Sequence, residues 1–229
     1  MTPLELLAEN EEWLALNKPA GLLSIPDREG KEISLKTLLQ QTYGSVFTVH
    51  RLDKDTSGIL LFARNEDMHR YLSSLFENRL AEKWYWGLVK GLPQPATLLL
   101  NSPLLENPAK RGTMKIHAKG KPALTYYEVV EKLGPYTWMQ FKLVTGRLHQ
   151  IRVHMQGAGH PIACDPIYGD GQPIYLSSLK KNFKLSLQDE TERPLLQRLA
   201  LHAHRLEFSL PDGKRIQLEA PLPKDLAAT

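Results

Sequence analysis

Twice in this sequence, two segments of strand length flank a turn signal, and the second of these turns along the chain leaves room only for a hairpin. Pro211-Asp212-Gly213 separates Leu201–Leu210 from Lys214–Leu218, and Gly134-Pro135 separates Thr125–Val130 from Trp138–Val144. Such short connections reverse the chain within one sheet, so the fold must contain antiparallel pairs. Trp13–Asn17, Val46–His50, Gly58–Ala63 and Lys83–Val89 add further strand-like segments. In the last of these Trp84, Trp86 and Leu88 share one face, and Lys83, Tyr85 and Val89 share the other. Helical spacing occurs in Ser34–Gln41, with Ser34 as N-cap. It recurs in Asn65–Asn78, where Met68, Tyr71, Leu72, Leu75 and Phe76 form one stripe behind Asn65, Glu66 and Asp67. A third helix is expected after Thr145-Gly146, with Leu148, Ile151 and Met155 apolar and His149, Arg152 and Gln156 as a polar stripe, ended by Gly157 and Gly159. About nine strands and three or four helices imply an α+β fold, a mixed and mostly antiparallel sheet flanked by helices.

No repeat, low-complexity tract or Gly/Ser linker divides the 229 residues, so a single domain over 1–229 is expected. The longest apolar stretches, such as Ile59–Ala63, are far shorter than a membrane span needs, and Met1–Glu12 carries acids where a signal peptide carries bases. Cys164 is the one cysteine, which excludes an internal disulfide and a cysteine-cluster metal site and suits a reducing compartment. A cytoplasmic protein without a membrane partner is expected. With no coiled-coil or apolar interface segment, it is expected to be a monomer.

The net charge is only +4, but its distribution is uneven. Between Asn107 and Tyr127 stand Lys110, Arg111, Lys115, Lys119 and Lys121 with no acid; between Lys142 and His154 stand Lys142, Arg147 and Arg152, again with none. Either run alone reads as a solvated face. Two in one domain favour a polyanionic partner.

Two clusters are dense enough in polar groups to carry chemistry. The first is His50-Arg51-Leu52-Asp53-Lys54-Asp55-Thr56-Ser57-Gly58, which joins two strands. A hydrophilic turn is the plain alternative, but Asp53 lies between Arg51 and Lys54, and neighbouring cations favour the ionised carboxylate that a nucleophile requires. The second is Thr145-Gly146-Arg147-Leu148-His149-Gln150-Ile151-Arg152-Val153-His154. Free N–H groups at its helix start, with the planar forks of Arg147 and Arg152, can clamp a carboxylate or phosphate. His149 and His154 are five residues apart rather than four, so they do not form a helical metal pair. Ser57 lies in no G-x-S-x-G elbow, and the glycine-rich dinucleotide and nucleotide fingerprints are absent.

Together these segments resemble the RluA-type family of RNA pseudouridine synthases. The matching pieces follow in order: Asn17-Lys18-Pro19-Ala20-Gly21, the His50–Gly58 block, Lys83-Trp84-Tyr85, Lys121-Pro122-Ala123 with Thr125, the Thr145–His154 block, Gly159-His160-Pro161-Ile162 and Leu201-His202-Ala203. Cys164, Leu148 and Gly87 stand where relatives commonly have Gly, Thr and Ala, and none of these changes removes a reactive group. The resemblance implies the pseudouridine synthase fold and conversion of uridine to pseudouridine in structured RNA, ribosomal or transfer, without cofactor or metal. It implies Asp53 as the catalytic aspartate, Tyr85 against the flipped uracil, Arg147 pairing with the Asp53 carboxylate, and Arg51 displacing the target base. His50, Ile151 and Arg152 complete the expected substrate site. Lys110, Arg111, Lys115, Lys119 and Lys121 are the expected contacts to the RNA backbone. Many relatives carry a small N-terminal RNA-binding domain. None is expected here, so recognition is assigned to the catalytic domain, its Leu104–Lys121 loop and the Tyr168–Thr191 segment. A catalytically idle RNA-binding module of the same fold is the competing expectation.

Overall fold

Ser34 and Asn65 start the two helices expected of them. In this computed structural model, which describes residues 4–27, 29–180, 183 and 191–229, Ser34 Oγ accepts from the Thr37 N–H at 3.1 Å to open α1 (Leu35–Tyr43). Asn65 Oδ1 accepts from the Met68 N–H at 2.8 Å to open α2 (Glu66–Glu77). Each cap satisfies an amide that the helix leaves without a partner. The remaining helices are α3 (Gln150–Gly157), α4 (Leu176–Leu179) and α5 (Lys224–Ala227). The strands are β1 (Glu5–Glu9), β2 (Trp13–Lys18), β3 (Phe47–Thr48), β4 (Ser57–Ala63), β5 (Glu82–Lys90), β6 (Thr97–Asn101), β7 (Leu104–Glu106), β8 (Met114–Ile116), β9 (Leu124–Leu133), β10 (Tyr136–Leu143), β11 (Leu201–Ser209) and β12 (Arg215–Glu219).

That makes twelve strands among the described residues; eight match the segments located in the sequence, and the four others are β1, β6, β7 and β8. These span three to five residues, too few to show a period of two, and they exist because a neighbour supplies hydrogen bonds. The expected loop Leu104–Lys121 therefore contains a small antiparallel ribbon, Leu104↔Ile116 to Glu106↔Met114.

The chain packs as two compact units, Met1–Tyr85 with His202–Pro221, and Trp86–Leu201 with Leu222–Thr229. β5 passes from one to the other. In the first unit the strand order is β1-β2-β4-β11-β5, with β3 on β4 and β12 on β11. Every residue of β4 is buried, as the unbroken apolar run Ile59–Ala63 requires of a strand covered on both faces. The apolar stripe of α2, Met68, Leu72 and Leu75, closes over Trp13, Ile59, Leu61, Leu206 and Phe208. β4 runs parallel to β11, with Gly58 opposite Ala203. Gly58 has φ +117°, and a Cβ there would lie 2.2 Å from the Ala203 carbonyl oxygen, so only glycine fits.

In the second unit the order is β5-β10-β9-β6. The β9–β10 hairpin turns at Gly134, as expected, and carries a bulge at Trp138/Met139. Leu104, Ala123, Val153 and Tyr168 form a small core that joins the β7–β8 ribbon to α3.

Candidate active site

The β3–β4 loop is pinned on both sides of Asp53. Lys18, the last residue of β2, is fully buried. Its ammonium donates to the carbonyls of Pro19, Leu22 and Lys54 at 2.9, 2.8 and 2.9 Å. A buried ammonium needs such acceptors, and three carbonyls match its three protons. The Gly21 N–H donates to the same Lys54 carbonyl at 2.9 Å. On the other side Ser24 Oγ accepts from the Leu52 N–H at 3.1 Å and donates to the Leu52 carbonyl at 2.7 Å. The Thr56 N–H then closes the turn on the Asp53 carbonyl at 3.2 Å. Asn17-Lys18-Pro19-Ala20-Gly21, which by itself reads as a turn, is thus the clamp that holds the aspartate's loop. Its sequence signal is a lysine that ends a strand apolar from Trp13 to Leu16.

Half-buried Asp53 acts electrostatically on Tyr85, which is 8 % exposed on β5. Burial first, and the Asp53 carboxylate second, push the Tyr85 phenol well above its ordinary value, so it keeps its proton and is a donor. His50 is held as a neutral ring. Its Nε2 accepts from the Leu61 N–H at 3.1 Å, its face stacks on Phe76 with centroids 4.5 Å apart, and burial with the Lys83 charge lowers its pKa to about 3. Lys83 stands over the same Phe76 ring, and burial together with Arg79 lowers its pKa to about 8. His50, Lys83 and Tyr85 line a small cleft with Ile59, Trp84 and the β11 residues Ala203, Arg205 and Leu206.

One feature of this loop differs from the sequence expectation. Lys54 is paired with Glu32, so its charge is turned away from the role expected beside Asp53. Arg51 projects from the loop as an exposed side chain. Ser57 Oγ meets His202 Nδ1 at 2.9 Å, but both residues are buried and His202 Nε2 reaches the Ala220 carbonyl at 3.3 Å instead of a carboxylate. With Nε2 donating, Nδ1 accepts the serine proton, and the pair ties β4 to β11.

In the second unit the Thr145–His154 block is organised by Gln150, a residue that motif chemistry overlooks. Its Oε1 accepts from Thr145 Oγ1 at 2.7 Å and the Arg147 N–H at 3.0 Å, while its Nε2 donates to the Leu124 carbonyl and Thr125 Oγ1 at 3.0 and 2.9 Å. The Arg147 amide, expected as an open anion site, is therefore engaged, and Arg147 Nε donates to the Pro122 carbonyl at 3.2 Å.

Arg152 is not part of a polar stripe or a substrate clamp. It is 2 % exposed and grips Asp165 through Nε and Nη2 at 2.8 and 2.9 Å. Burial alone would raise the Asp165 pKa, but Arg152 and the N–H groups of Ile167 and Tyr168 outweigh it and hold the pKa low. Ile151 is also buried, at 3 %. His154 bonds Thr125 Oγ1 and the Ser102 carbonyl, and His149 bonds the Tyr168 hydroxyl, so the two rings serve separate structural contacts. Among the described residues no three His, Cys, Asp or Glu side chains converge as metal ligands. Lys110, Arg111, Lys119 and Lys121 are exposed and Lys115 is half-buried, all on or beside the β7–β8 ribbon. Of the Tyr168–Thr191 segment, residues 181–182 and 184–190 lie outside the described residues.

The chain is similar to known proteins over most of its length. The RNA pseudouridylate synthase family profile matches residues 12–157. An uncharacterized RNA pseudouridine synthase of Zymomonas mobilis is 38 % identical over 93 % of this chain and 91 % of its own length. The dual-specificity RNA pseudouridine synthase RluA of Vibrio vulnificus is 35 % identical over 90 % and 78 %, and the ribosomal large subunit pseudouridine synthase D of Haemophilus ducreyi is 33 % identical over 97 % and 68 %. Human RNA pseudouridylate synthase domain containing 1 superimposes with a TM-score of 0.75 at 25 % identity, over 99 % of this chain and 87 % of that one. With the pinned aspartate loop, the Lys83-Trp84-Tyr85 strand and the Thr145–His154 block all inside the matched sequence, the chain belongs to the RluA-type family of RNA pseudouridine synthases, isomerases that convert uridine in RNA to pseudouridine.

Proposed function

We propose that this chain isomerises a specific uridine in structured RNA with Asp53 as its catalytic carboxylate, and that the RNA is ribosomal or transfer RNA. The observation that carries this is the pinning of Asp53 by Lys18, Gly21 and Ser24 next to a buried, protonated Tyr85. The reaction breaks the N1–C1′ bond, turns the uracil, joins C5 to C1′ and releases the C5 hydrogen as a proton while N1 takes one up, so atoms balance within one nucleotide. It needs one ionised carboxylate, a polar surface that retains the freed base, and a group to stabilise the RNA while the uridine is out of its stack. Asp53 supplies the first. Tyr85 offers a ring face and a hydroxyl donor for the second, and stacking of this kind is worth about 1–3 kcal/mol per base. Exposed Arg51, on the aspartate's own loop, is suited to take the place of the displaced base. The names of relatives such as the Haemophilus ducreyi enzyme support a ribosomal target, and the name of the Vibrio vulnificus enzyme supports a broader one. The protein works as a cytoplasmic monomer.

Tritium release from RNA labelled at uridine C5 tests this, with ribosomal and transfer transcripts assayed separately. The parent is expected to release tritium from at least one RNA and Asp53→Ala from neither. Release by Asp53→Ala at the parental rate would remove Asp53 from the chemistry. Salt-sensitive binding without release by the parent would return the idle RNA-binding module to first place. The role that the resemblance gives Arg147 is read separately, as a lower single-turnover rate in Arg147→Met.

A further inference from the structure

The β7–β8 ribbon carries Lys110 and Arg111 in its turn, and one hydroxyl ties that ribbon to the Thr145–His154 block. Tyr168 is 6 % exposed, and its ring lies beneath the Arg152 guanidinium at 5.1 Å. The Asp165 carboxylate that holds Arg152 also accepts from the Tyr168 N–H at 3.1 Å, so both ends of the residue are fixed. Its hydroxyl accepts from the Met114 N–H, the first amide of β8, at 2.8 Å. Because a backbone N–H can only donate, the Tyr168 proton remains available for His149 Nδ1, 2.9 Å away.

His149 is arranged to receive that proton. It has φ +54°, a conformation uncommon for a side chain of its size, immediately before α3. The imidazole meets the Tyr168 ring edge-on, with centroids 5.5 Å apart. The ribbon's own turn is also closed, by the Thr113 N–H and Oγ1 donating to the Lys110 carbonyl and by the Asn107 N–H donating to the Thr113 carbonyl. Lys110 and Arg111 thus sit on a hydrogen-bonded turn, and the Tyr168 hydroxyl adds a polar tether at Met114 to the apolar packing that joins the ribbon to α3.

We propose that Tyr168, with His149, is a positioning residue for RNA binding: its hydroxyl sets the pose of the Lys110-Arg111 turn relative to α3. The proposal rests on the assignment of Lys110 and Arg111 as contacts to the RNA backbone. A tether of this kind acts on KM, because it orders the cationic turn before RNA arrives, and leaves the chemical step alone.

The test compares Tyr168→Phe, which removes the hydroxyl and keeps the ring, with Lys110→Ala/Arg111→Ala, the combination of all three, His149→Gly and His149→Asn. Steady-state kinetics on the responsive RNA are read with thermal melting. Tyr168→Phe is expected to raise KM about fivefold, the weight of an ordinary hydrogen bond, with kcat within about twofold. In the Lys110→Ala/Arg111→Ala background the same change should add little. His149→Gly accepts the backbone conformation but lacks the acceptor, and should raise KM. His149→Asn restores an oxygen acceptor and tolerates the conformation, and should return KM toward the parent. Should Tyr168→Phe melt early, the two His149 variants decide the matter. Parental KM in Lys110→Ala/Arg111→Ala would overturn the backbone-contact assignment and the proposal with it. Raised KM there with parental KM in Tyr168→Phe, full additivity in the combined variant, or a loss confined to kcat would overturn the positioning role alone.

Discussion

Arg152 and Asp165, thirteen residues apart in sequence, form a two-pronged ion pair from which solvent is almost wholly excluded. Two N–H donors meet two carboxylate oxygens, and Asp165 takes two further backbone amides, so the geometry that a buried pair requires is present. Breaking it from one side strands a buried charge. Arg152→Ala should therefore lose about 3–5 kcal/mol of stability. Arg152→Met combined with Asp165→Asn, which keeps an oxygen for the Ile167 and Tyr168 amides, should recover much of that loss. Urea unfolding measures both, and a single-variant loss below about 1 kcal/mol would show that the pair is not the anchor of its unit.

Gly58 and Gly21 both have positive φ, yet they should respond differently to alanine. At Gly58 the new methyl meets the Ala203 backbone, whereas at Gly21 it meets open space. Gly21→Ala should cost about 1–2 kcal/mol, the conformational penalty alone. Gly58→Ala adds a backbone clash inside the β4–β11 pair and should cost more than about 3 kcal/mol. Melting temperatures compare them directly, and equal losses would contradict the steric account.

His50 makes the protein sensitive to acid. Its folded pKa of about 3 lies below the unfolded value of 6.5. Between these limits the unfolded chain binds a proton that the folded one refuses. Stability therefore falls as pH drops from about 6.5 toward 3, by at most about 1.4 kcal/mol per pH unit for one histidine. His204, lowered to about 4, and His154 act in the same direction. His50→Gln keeps an acceptor for the Leu61 N–H without the titration, so its melting temperature should depend less steeply on pH. An unchanged slope would exclude His50 as a source.

Neutralising Lys115, Lys119 and Lys121 together should raise KM for RNA and leave the single-turnover rate at saturating RNA near the parent's. The slope of log affinity against log salt should shrink by about 0.7–0.9 for each phosphate that the variant no longer neutralises. Equal KM values in variant and parent would take this surface out of RNA binding.

Local signals in the sequence were sufficient wherever the physics is local. Ser34 and Asn65 cap the helices that follow because each reaches an amide three residues on. Pro211-Asp212-Gly213 turns β11 into β12 because turn geometry depends on three residues, and the apolar run of β4 is long enough to specify burial on both faces. The order of motifs around Asp53 and Tyr85 was legible too, since residue types at set spacings survive without coordinates. Tertiary structure alone decided what each polar residue of those motifs does. Lys18 became a clamp because three carbonyls converge on it, and Lys54 was drawn to Glu32. Arg152 left the expected substrate site because Asp165 lies within its reach, and β7 and β8 form because each provides the other's hydrogen bonds. A periodic pattern tells which face of an element is buried, but the partner that a buried charge or a three-residue strand will find depends on distances that only the folded chain sets.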